Sequence, residues 1–355
     1  MKLDWNTLPK PIIALSPMAD MTDSAFCQTV RYCSPFDPEL VEGVVGSGLV
    51  VFREMVSSEA VVRHNDKTLG MTDIHPDERP LVQQIFGSDP ATMAESARII
   101  AEQHHPEGFD VNMGCPVYKI VHNFNGAALM KEPELATKIV RAMKEVIDVP
   151  LSIKIRLGWE NPTDCIEFAK VLEDAGADLI TVHGRTKCQG YAGVADWKMI
   201  RRVKEAVSIP VLCNGDVHKA ELAPKALEVS GCDGLLIARG GLGNPWIFEQ
   251  ISDVLVGRVA RVVTMEERVR TVLQHLDLHC QQYGERGVVT FRKHLSWYFK
   301  GVPGAKFFRE QLHTTSSRSE IEKILNTLCH CEEASADAAI PRDCFASLAM
   351  TYGQL

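Results

Sequence analysis

The sequence has no run of apolar residues close to the ~18–20 that a membrane-spanning helix needs. Its N-terminal segment, Met1-Lys2-Leu3-Asp4-Trp5, has none of the apolar core of a secretory signal peptide. The 11 cysteines are an odd number scattered from Cys27 to Cys344, and no two pairs stand at the spacing of a zinc site. We therefore expect a cytoplasmic protein with free thiols, without a membrane contact, a disulfide framework or a metal site.

An overall excess of positive charge is also missing. Lys and Arg number 38 against 46 Asp and Glu, and the formal net charge of −8 excludes a protein that is basic over its whole surface. The segment from Val256 to His313 differs, with ten Lys/Arg against five Asp/Glu and a local net charge of +5. The remainder carries −13, so any polyanion would be bound at one confined surface.

Short β-rich runs alternate with longer amphipathic segments between residue 12 and about residue 245. Strands this apolar, with helices between them, indicate a parallel sheet covered by helices. Eight such runs predict an α/β fold built on a (β/α)8 TIM barrel. A doubly wound open sheet is the competing architecture, but no Gly-x-Gly-x-x-Gly follows the first run. The runs are Ile12–Met18, Leu49–Val56, Leu81–Phe86, Phe109–Asn112, Leu151–Leu157, Leu179–His183, Val211–Asn214 and Leu235–Ala238.

The pattern changes after about Leu255. Helical patterns without a clear strand follow, and Pro303-Gly304 and Thr314–Ser317 punctuate them. We predict a barrel domain over residues 1–255, a small all-α helical domain over residues 256–330 and a weakly structured tail over residues 331–355. The helices predicted after the barrel are Met265–Tyr283, Val288–Phe299, Ala305–Leu312 and Ser319–Cys329.

Polar residues and glycines are concentrated where the predicted strands end. The carboxyl ends of barrel strands meet at one face, where such barrels carry their chemistry. A single polar residue at a strand end is more often structural than functional, but here seven strand ends contribute together. The segments are Ser16-Pro17-Met18-Ala19, Gln83-Gln84, Asn112-Met113-Gly114-Cys115-Pro116, Lys154 with Arg156, His183-Gly184-Arg185-Thr186, Asn214-Gly215-Asp216 and Ala238-Arg239-Gly240-Gly241.

The last two strand ends predict a phosphate site. Small residues such as Gly215 and Gly240 let backbone N–H groups approach an anion closely, and barrels often bind phosphate between these two loops. Arg239 could add a charge-assisted hydrogen bond.

The other strand ends suit the ring system of a flavin. A cation such as Lys154 near the N1–C2=O edge stabilises the anionic reduced ring. The amides of Gln84 and Asn112 can hydrogen bond to a heterocycle, and Pro17-Met18-Ala19 offers an apolar shelf for a flat ring. Together with the phosphate site, these features suggest flavin mononucleotide (FMN).

Cys115 follows the fourth strand in a Gly-Cys-Pro turn and should lie near a bound ligand. Most free cysteines are small buried hydrophobes, which describes Cys165, Cys213 and Cys232 within their apolar patterns. A thiol beside a ligand can act as a nucleophile or as a general acid. No Asp or His at a fixed spacing decides between these two uses.

The joint pattern resembles the tRNA-dihydrouridine synthase family, flavin enzymes that reduce uridine in RNA. The resemblance runs from about residue 10 to about residue 328. Besides the strand ends, it rests on Thr22-Asp23, Glu54-Met55-Val56, Gly87-Ser88-Asp89-Pro90, Lys119, Gly126-Ala127-Ala128-Leu129, Leu157-Gly158-Trp159, Tyr191, Gly193, Asp196-Trp197, Gly243-Asn244-Pro245-Trp246, Arg292-Lys293-His294, Trp297-Tyr298, Lys300-Gly301 and Pro303-Gly304.

The resemblance implies a role for each matching position. Cys115 matches the catalytic acid, which protonates C5 of the uracil ring after a hydride has passed from flavin N5 to C6. NADPH is the implied reductant and tRNA the implied partner, with no stable protein partner. The positions that match flavin contacts are Pro17, Met18, Ala19, Gln84, Lys154, His183, Asn214, Gly215, Asp216, Ala238 and Arg239.

A folded RNA must extrude the base to reach a pocket at a barrel mouth, which requires a grip on the RNA backbone. The basic residues of the helical segment alternate with aromatic residues, of which Phe291 and Trp297 are better explained as core. A solvated helix face is the alternative interpretation of this charge. We expect substrate contacts at Asn112, Lys119, Arg156, Arg185, Lys187, Arg292, Lys293, His294 and Arg309.

Two other functions fit part of the pattern. A barrel oxidoreductase that acts on a free pyrimidine, as dihydroorotate dehydrogenase does, would share the flavin residues but lack the basic helical segment. A non-catalytic RNA-binding protein is disfavoured because Cys115, Lys119 and Lys154 occur together. The sequence leaves open the uridine that is modified, tRNA against rRNA, NADPH against NADH, and the oligomeric state.

Overall fold

A computed structural model describes residues 3–34, 49–302, 311–312 and 314–333, with the backbone alone over residues 328–333. Its central feature is a closed barrel of eight parallel strands, in which each strand pairs with the next and β8 pairs with β1. This confirms the predicted (β/α)8 TIM barrel. The strands are β1 (Ile12–Leu15), β2 (Val50–Ser57), β3 (Leu81–Phe86), β4 (Gly108–Met113), β5 (Leu151–Arg156), β6 (Leu179–His183), β7 (Val211–Asn214) and β8 (Gly234–Ile237).

The first strand is shorter than the apolar run that predicted it. Ser16 still donates its backbone N–H to Ile237 O at 2.8 Å, but Met18 N–H donates instead to Thr22 Oγ1 at 2.8 Å. Pro17 and Met18 therefore belong to a turn. Their apolar side chains extend the sequence pattern beyond the end of the strand.

Within the described residues, ten helices alternate with the strands or follow the last of them. Side-chain caps begin several of these helices, as where Asp89 accepts from Thr92 N at 2.8 Å and Asp196 accepts from Met199 N at 2.9 Å. The helices are α1 (Ser24–Cys33), α2 (Ser58–Val62), α3 (Asp66–Gly70), α4 (Pro90–His104), α5 (Tyr118–Val121), α6 (Pro133–Lys144), α7 (Asp164–Ala175), α8 (Trp197–Lys204), α9 (Ala223–Ser230) and α10 (Ile247–Leu255).

The amino end of the barrel is closed by the segment that precedes β1. Leu3 and Trp5 are buried in one cluster with Ile12, Val50 and Leu212, and the Trp5 ring stacks on Phe52 with 6.0 Å between centroids. Apolar side chains fill this end. The strand carboxyl ends are therefore left as the polar end of the barrel.

The chain divides into two compact units. The first comprises the chain up to Gly241 together with Pro245–Arg261, and the second comprises Leu242–Asn244 with the described residues from Val262 onward. The second unit contains α11 (Met265–Tyr283), α12 (Gly287–Tyr298) and α13 (Arg318–Glu333). Its helical character agrees with the sequence pattern. None of the helices described here is both long and apolar enough to cross a membrane.

Part of the predicted C-terminal organisation lies outside the described residues. This applies to most of the predicted helix Ala305–Leu312, including Lys306 and Arg309, and to residues 334–355 of the predicted tail. The first positions of that tail, residues 331–333, are the last turn of α13.

Candidate active site

The candidate site consists of the loops that follow the strands at the carboxyl end of the barrel. The loop after β1 is held by Thr22 and by Glu54, whose Oε2 accepts from Asp20 N–H at 2.7 Å. Pro17 and Met18 are half-buried in this loop, and Ala19 is exposed. The predicted apolar shelf is thus a turn with a fixed conformation.

A chain of hydrogen bonds links β3, β4 and β5. Gln84 Nε2 donates to Asp110 Oδ2 at 2.5 Å, and Asn112 Nδ2 donates to Gln84 Oε1 at 2.9 Å. Ser152 Oγ donates to the other carboxyl oxygen of Asp110 at 2.6 Å. Asn112 Oδ1 accepts from Cys115 N–H at 2.9 Å. The two amides that were predicted to face a ligand therefore also hold the start of the Cys115 turn.

Cys115 is half-buried immediately after β4. Burial raises the pKa of its thiol, and the nearby cations Arg156 and Lys154 lower it only in part. The thiol therefore keeps its proton at neutral pH, which is the form a general acid needs. The chain returns onto this turn at Gly126 (φ +60°), where a Cβ would lie 2.8 Å from Cys115 O and 3.1 Å from Cys115 Cβ.

Lys154 reaches from β5 to the end of β7. Its Nζ donates to Asn214 Oδ1 at 3.0 Å, and Asn214 Nδ2 donates to Leu236 O on β8 at 2.6 Å. Burial, together with the charge of Arg156, lowers the pKa of Lys154 to about 8. The ammonium form still prevails at neutral pH, so Lys154 keeps a positive charge beside the Asn214 amide.

His183 ends β6 and is 7% exposed. Burial lowers its pKa to about 2, and the charges of Lys154, Arg156 and Arg185 act in the same direction. The imidazole is therefore neutral, with one donor and one acceptor nitrogen. Gly215 (φ +119°) packs against this ring, and a Cβ there would lie 3.3 Å from His183 Nε2.

The loops after β7 and β8 approach each other closely. A Cβ on Gly240 would lie 2.5 Å from Val217 O, so only glycine permits this contact. The backbone N–H groups of Arg239 and Gly240 have no acceptor within the part of the chain that the structure describes. The Asp216 carboxylate, in contrast, accepts from Ala195 N–H at 2.6 Å and pairs with Arg185 at 2.8 Å. Both contacts use Oδ2, so the carboxylate holds the loop after β6 through one of its two oxygens.

Two arginines predicted to contact the substrate hold loops of the barrel in place. Arg156 donates to Gly114 O at 2.8 Å and to the carbonyls of Thr186 and Gly190. Arg185 donates to the carbonyls that follow Tyr191 and pairs with Asp216. Both side chains are buried. The structure therefore shows that both arginines hydrogen bond to loops, while a contact of either one with the substrate stays a prediction.

The rim carries cations beside aromatic rings. Lys187 Nζ lies 4.2 Å and Lys131 Nζ 4.9 Å from the centre of the Trp159 ring, while Arg239 lies 4.9 Å from the centre of the exposed Tyr191 ring. Lys119 is exposed on α5. Such pairs of cations and aromatic rings suit the binding of nucleic acid.

The predicted RNA contacts of the second unit differ in exposure. Arg292 and Lys293 are both half-buried, and Arg292 also donates to Thr315 O at 2.7 Å. His294 is 2% exposed and packs on His275 with 4.6 Å between ring centres. Arg309 lies outside the described residues.

Three histidines form a buried cluster in this unit. The ligand-capable nitrogens of His275, His279 and His294 lie within 4.8 Å of one another, although the sequence predicted no metal site. Hydroxyl groups contact two of the rings, Tyr298 at 3.0 Å from His275 Nδ1 and Thr290 at 2.9 Å from His279 Nε2. The cluster is thus part of a hydrogen-bonded core.

Sequence reasoning missed Asp110 and Ser152 as members of the site. Asp110 is fully buried between Phe109 and Val111, and Ser152 is fully buried on the neighbouring strand. An acidic residue inside an apolar strand is rare enough to be a signal, because a buried carboxylate needs partners. The partners themselves could not be read from the sequence.

The residues present fit a flavin with a terminal phosphate. The backbone N–H groups of Arg239 and Gly240, which have no acceptor among the described residues, lie in the same loop as the basic Arg239 side chain. Gly215 lets the backbone of the neighbouring loop pass closer to His183 and Ala195 than a Cβ would allow. Lys154, the Gln84 amide and the neutral His183 supply the hydrogen-bonding groups that a heterocycle needs.

Comparison with known proteins gives two kinds of similarity. The family model described as dihydrouridine synthase matches residues 13–337. A probable tRNA-dihydrouridine synthase 1 of Synechocystis sp. is 37% identical over 314 residues, which cover 88% of this chain and 84% of that protein. A tRNA-dihydrouridine synthase B of Pseudomonas aeruginosa is 39% identical over 311 residues, covering 86% of this chain and 89% of that protein.

Solved structures are similar in fold at low sequence identity. A 2-naphthoyl-CoA reductase bound to 2-naphthoyl-CoA has a TM-score of 0.51 and 12% identity, covering 70% of this chain and 50% of that chain. Histamine dehydrogenase from Rhizobium sp. 4-9 also has a TM-score of 0.51, with 11% identity, covering 90% of this chain and 62% of that chain. This chain spans about half of the first protein and less than two thirds of the second.

Proposed function

This chain belongs to the dihydrouridine synthase family, and we propose that it reduces uridines in tRNA to 5,6-dihydrouridine with FMN as its cofactor and NADPH as its reductant. The observation that carries the proposal is the Cys115 thiol. It is half-buried at the carboxyl end of the barrel, and its pKa is raised by burial, so it holds a proton for transfer. The proposal includes a cytoplasmic location.

FMN would be held by two groups of residues. The backbone at Gly215, Asp216 and Ala238, with the Arg239 side chain, would bind the phosphate. The ring system would be held by Gln84, Lys154, His183 and Asn214, with Pro17, Met18 and Ala19 beneath it. When bound, FMN would supply a hydride from N5 to C6 of the uracil ring.

Cys115 would complete the reduction by giving its proton to C5 of the uracil. A thiol with a raised pKa stays protonated between turnovers and is a competent acid toward a carbon that carries enolate-like charge. Lys154 keeps a positive charge in the site, where it would favour negative charge on the ring system. His183 is neutral and adds no further positive charge to those of Lys154, Arg156 and Arg239.

The RNA would be bound outside the pocket as well as within it. Lys119 and Lys187 are at the rim of the barrel, and Lys293 is on α12 of the second unit. Extrusion of the target base into the pocket requires such contacts along the RNA backbone. We propose backbone contacts for these three lysines and for Arg292 and Arg309, and a contact with the extruded base for Asn112 at the end of β4. Arg156, Arg185 and His294 are buried, so we propose that they serve the RNA by holding the loops and the helical core that carry these contacts.

Mapping of dihydrouridine tests the proposal directly. Total RNA from cells with and without this gene is sequenced by a method that marks dihydrouridine at single positions. We expect specific tRNA positions to lose the modification when the gene is deleted and to regain it with the intact gene but not with Cys115→Ala. Loss at rRNA positions only would replace tRNA by rRNA as the substrate. No change in any RNA, with turnover of a free pyrimidine by the purified protein, would overturn the proposal.

A further inference from the structure

We propose that Asp110 is a positioning residue for the proton-transfer step, because its carboxyl group sets the order of the hydrogen bonds that hold the Cys115 turn. The inference rests on the proposed function of Cys115 as the acid. Asp110 does not touch Cys115. It acts through the side chains of Gln84 and Asn112, which lie between them.

The order of donors and acceptors along this chain is fixed at both ends. A carboxylate only accepts, so Gln84 presents Nε2 to Asp110 and Oε1 to Asn112. Asn112 must then present Nδ2 to Gln84, which leaves Oδ1 for the backbone N–H groups of Gly114 at 3.2 Å and Cys115 at 2.9 Å. Backbone N–H groups only donate, so this is the one arrangement that satisfies every contact.

Loss of the acceptor at position 110 would leave this order fixed only at the backbone end and would allow it to reverse. A Gln84 amide without its carboxyl partner can rotate and present Nε2 to Asn112. Asn112 would then turn its own Nδ2 toward the backbone donors of the turn, which is repulsive. The side chains of Asp110, Gln84 and Asn112 are all buried, so water cannot readily replace the missing acceptor.

The second oxygen of Asp110 allows a conservative replacement. Ser152 Oγ donates to Asp110 Oδ1, and it also lies 3.2 Å from Phe109 O, to which it can donate instead. An asparagine at 110 could therefore accept from Gln84 with its oxygen and donate to Ser152 with its NH2 group. Burial raises the pKa of Asp110 to about 7, and a proton shared with Ser152 would be accommodated in the same way.

The experiment compares Asp110→Ala with Asp110→Asn in the full-length flavin-loaded protein. The rate of Cys115 alkylation by iodoacetamide is measured by peptide mapping, with the exposed Cys188 of the same molecule as the reference. We expect Asp110→Ala to change the Cys115 rate about tenfold relative to Cys188, and Asp110→Asn to stay within about twofold of the wild type. Single-turnover uridine reduction by pre-reduced enzyme should fall about 10–100-fold in Asp110→Ala and be largely restored in Asp110→Asn.

The outcomes separate this inference from the proposed function. Wild-type alkylation and turnover in Asp110→Ala, or equal losses in both variants, would overturn the positioning role and leave the function intact. If the alkylation rates change as expected but the protein makes no dihydrouridine, then Asp110 positions the Cys115 turn and the proposed function is wrong. If Asp110→Ala does not fold, Asp110→Thr takes its place, because its single oxygen lies one bond nearer the backbone than the two carboxyl oxygens and cannot occupy both of their positions, and because its β-branched side chain suits a strand.

Discussion

Neighbouring side chains on β4 point to opposite faces of the strand, so Asp110 and Asn112 share the face turned to the barrel interior. Both can therefore reach Gln84 on the adjacent strand. Cys115 follows two residues after the strand ends, and its Gly-Cys-Pro turn directly after a predicted strand was enough to single it out. The importance of Asp110 could not be found that way, because it depends on partners from β3 and β5 that are distant in sequence.

Replacing Cys115 with alanine should remove the proton donor and leave the cofactor site intact. We expect flavin and RNA to bind with affinities near those of the wild type, while single-turnover reduction of uridine falls about 10²–10⁴-fold. Rapid mixing of pre-reduced enzyme with tRNA measures this rate. Cys188→Ala, which removes an exposed thiol, is the matched control. A Cys115→Ala rate equal to that of the control would reject the acid assignment.

At the scale of elements, the strands and helices follow the sequence pattern more closely than their ends do. Between β7 and β8, a 3-10 turn (Ala220–Leu222) precedes α9, because Pro224 suits only the first turn of an α-helix. The loops after β7 and β8 depend on glycines at close contacts. A glycine in the sequence indicates that a close contact is possible at that position, but it does not indicate whether the contact lies beside a ligand.

The Gly215 position offers a test of the phosphate loop. In Gly215→Ala the new Cβ would lie 2.8 Å from Ala195 Cβ and 3.1 Å from His183 Cδ2, on a backbone with φ +119°. We expect at least about tenfold weaker flavin binding and a loss of about 1–3 kcal/mol in stability. Flavin absorbance after gel filtration and urea unfolding measure the two effects. Gly257→Ala, also at positive φ (+78°) but with open space around it, should lose stability only; equal flavin loss in both variants would show that strain alone is responsible.

The buried histidine cluster of the helical unit should make its stability depend on pH. Burial, with the charges of His279 and Lys293, lowers the pKa of His275 well below its ordinary value. The unfolded chain then binds a proton near the ordinary pKa of ~6.5 while the folded chain does not, so this contribution is present above pH ~6.5 and is lost as pH falls, by up to ~1.4 kcal/mol per pH unit. Urea unfolding of the wild type and of His275→Gln between pH 5 and 7.5 (roughly spanning that pKa) measures it. The free energy of unfolding of His275→Gln should change less with pH than that of the wild type. An equal change in both proteins would show that His275 is not the cause.

At the scale of the whole molecule, the charge is divided between the barrel and the segment that follows it. The formal net charge of −8 combines +5 between Val256 and His313 with −13 elsewhere. Indiscriminate binding of polyanions is therefore disfavoured, while RNA can be held at one basic surface. Arg292 donates to the carbonyl of Thr315, so its charge also has a structural use.

Neutralising this surface should weaken RNA binding and reduce its dependence on salt. For Lys293→Gln combined with Arg309→Gln we expect the slope of log K against log salt to fall by about 0.7–0.9 for each lost phosphate contact. Filter binding of tRNA at several salt concentrations measures the slope. Arg98→Gln, on α4 of the barrel and paired with Glu95 and Glu102, is the control. If the slope for the double variant equals that of the wild type, these two residues do not contact phosphates of the RNA.

The sequence by itself determined the barrel, the helical segment after it and the family, because strand periodicity, chain order and motif segments are local properties of the chain. It also singled out Cys115, Lys154 and His183 by their places at strand ends. Only the tertiary structure decided which polar groups are already engaged. Arg156 and Arg185 bind loop carbonyls, and Asp110 orders two amides, because closure of the barrel brings strand ends together that are far apart in sequence. Hydrogen-bond partners, burial and the pKa shifts that follow from them arise from that closure.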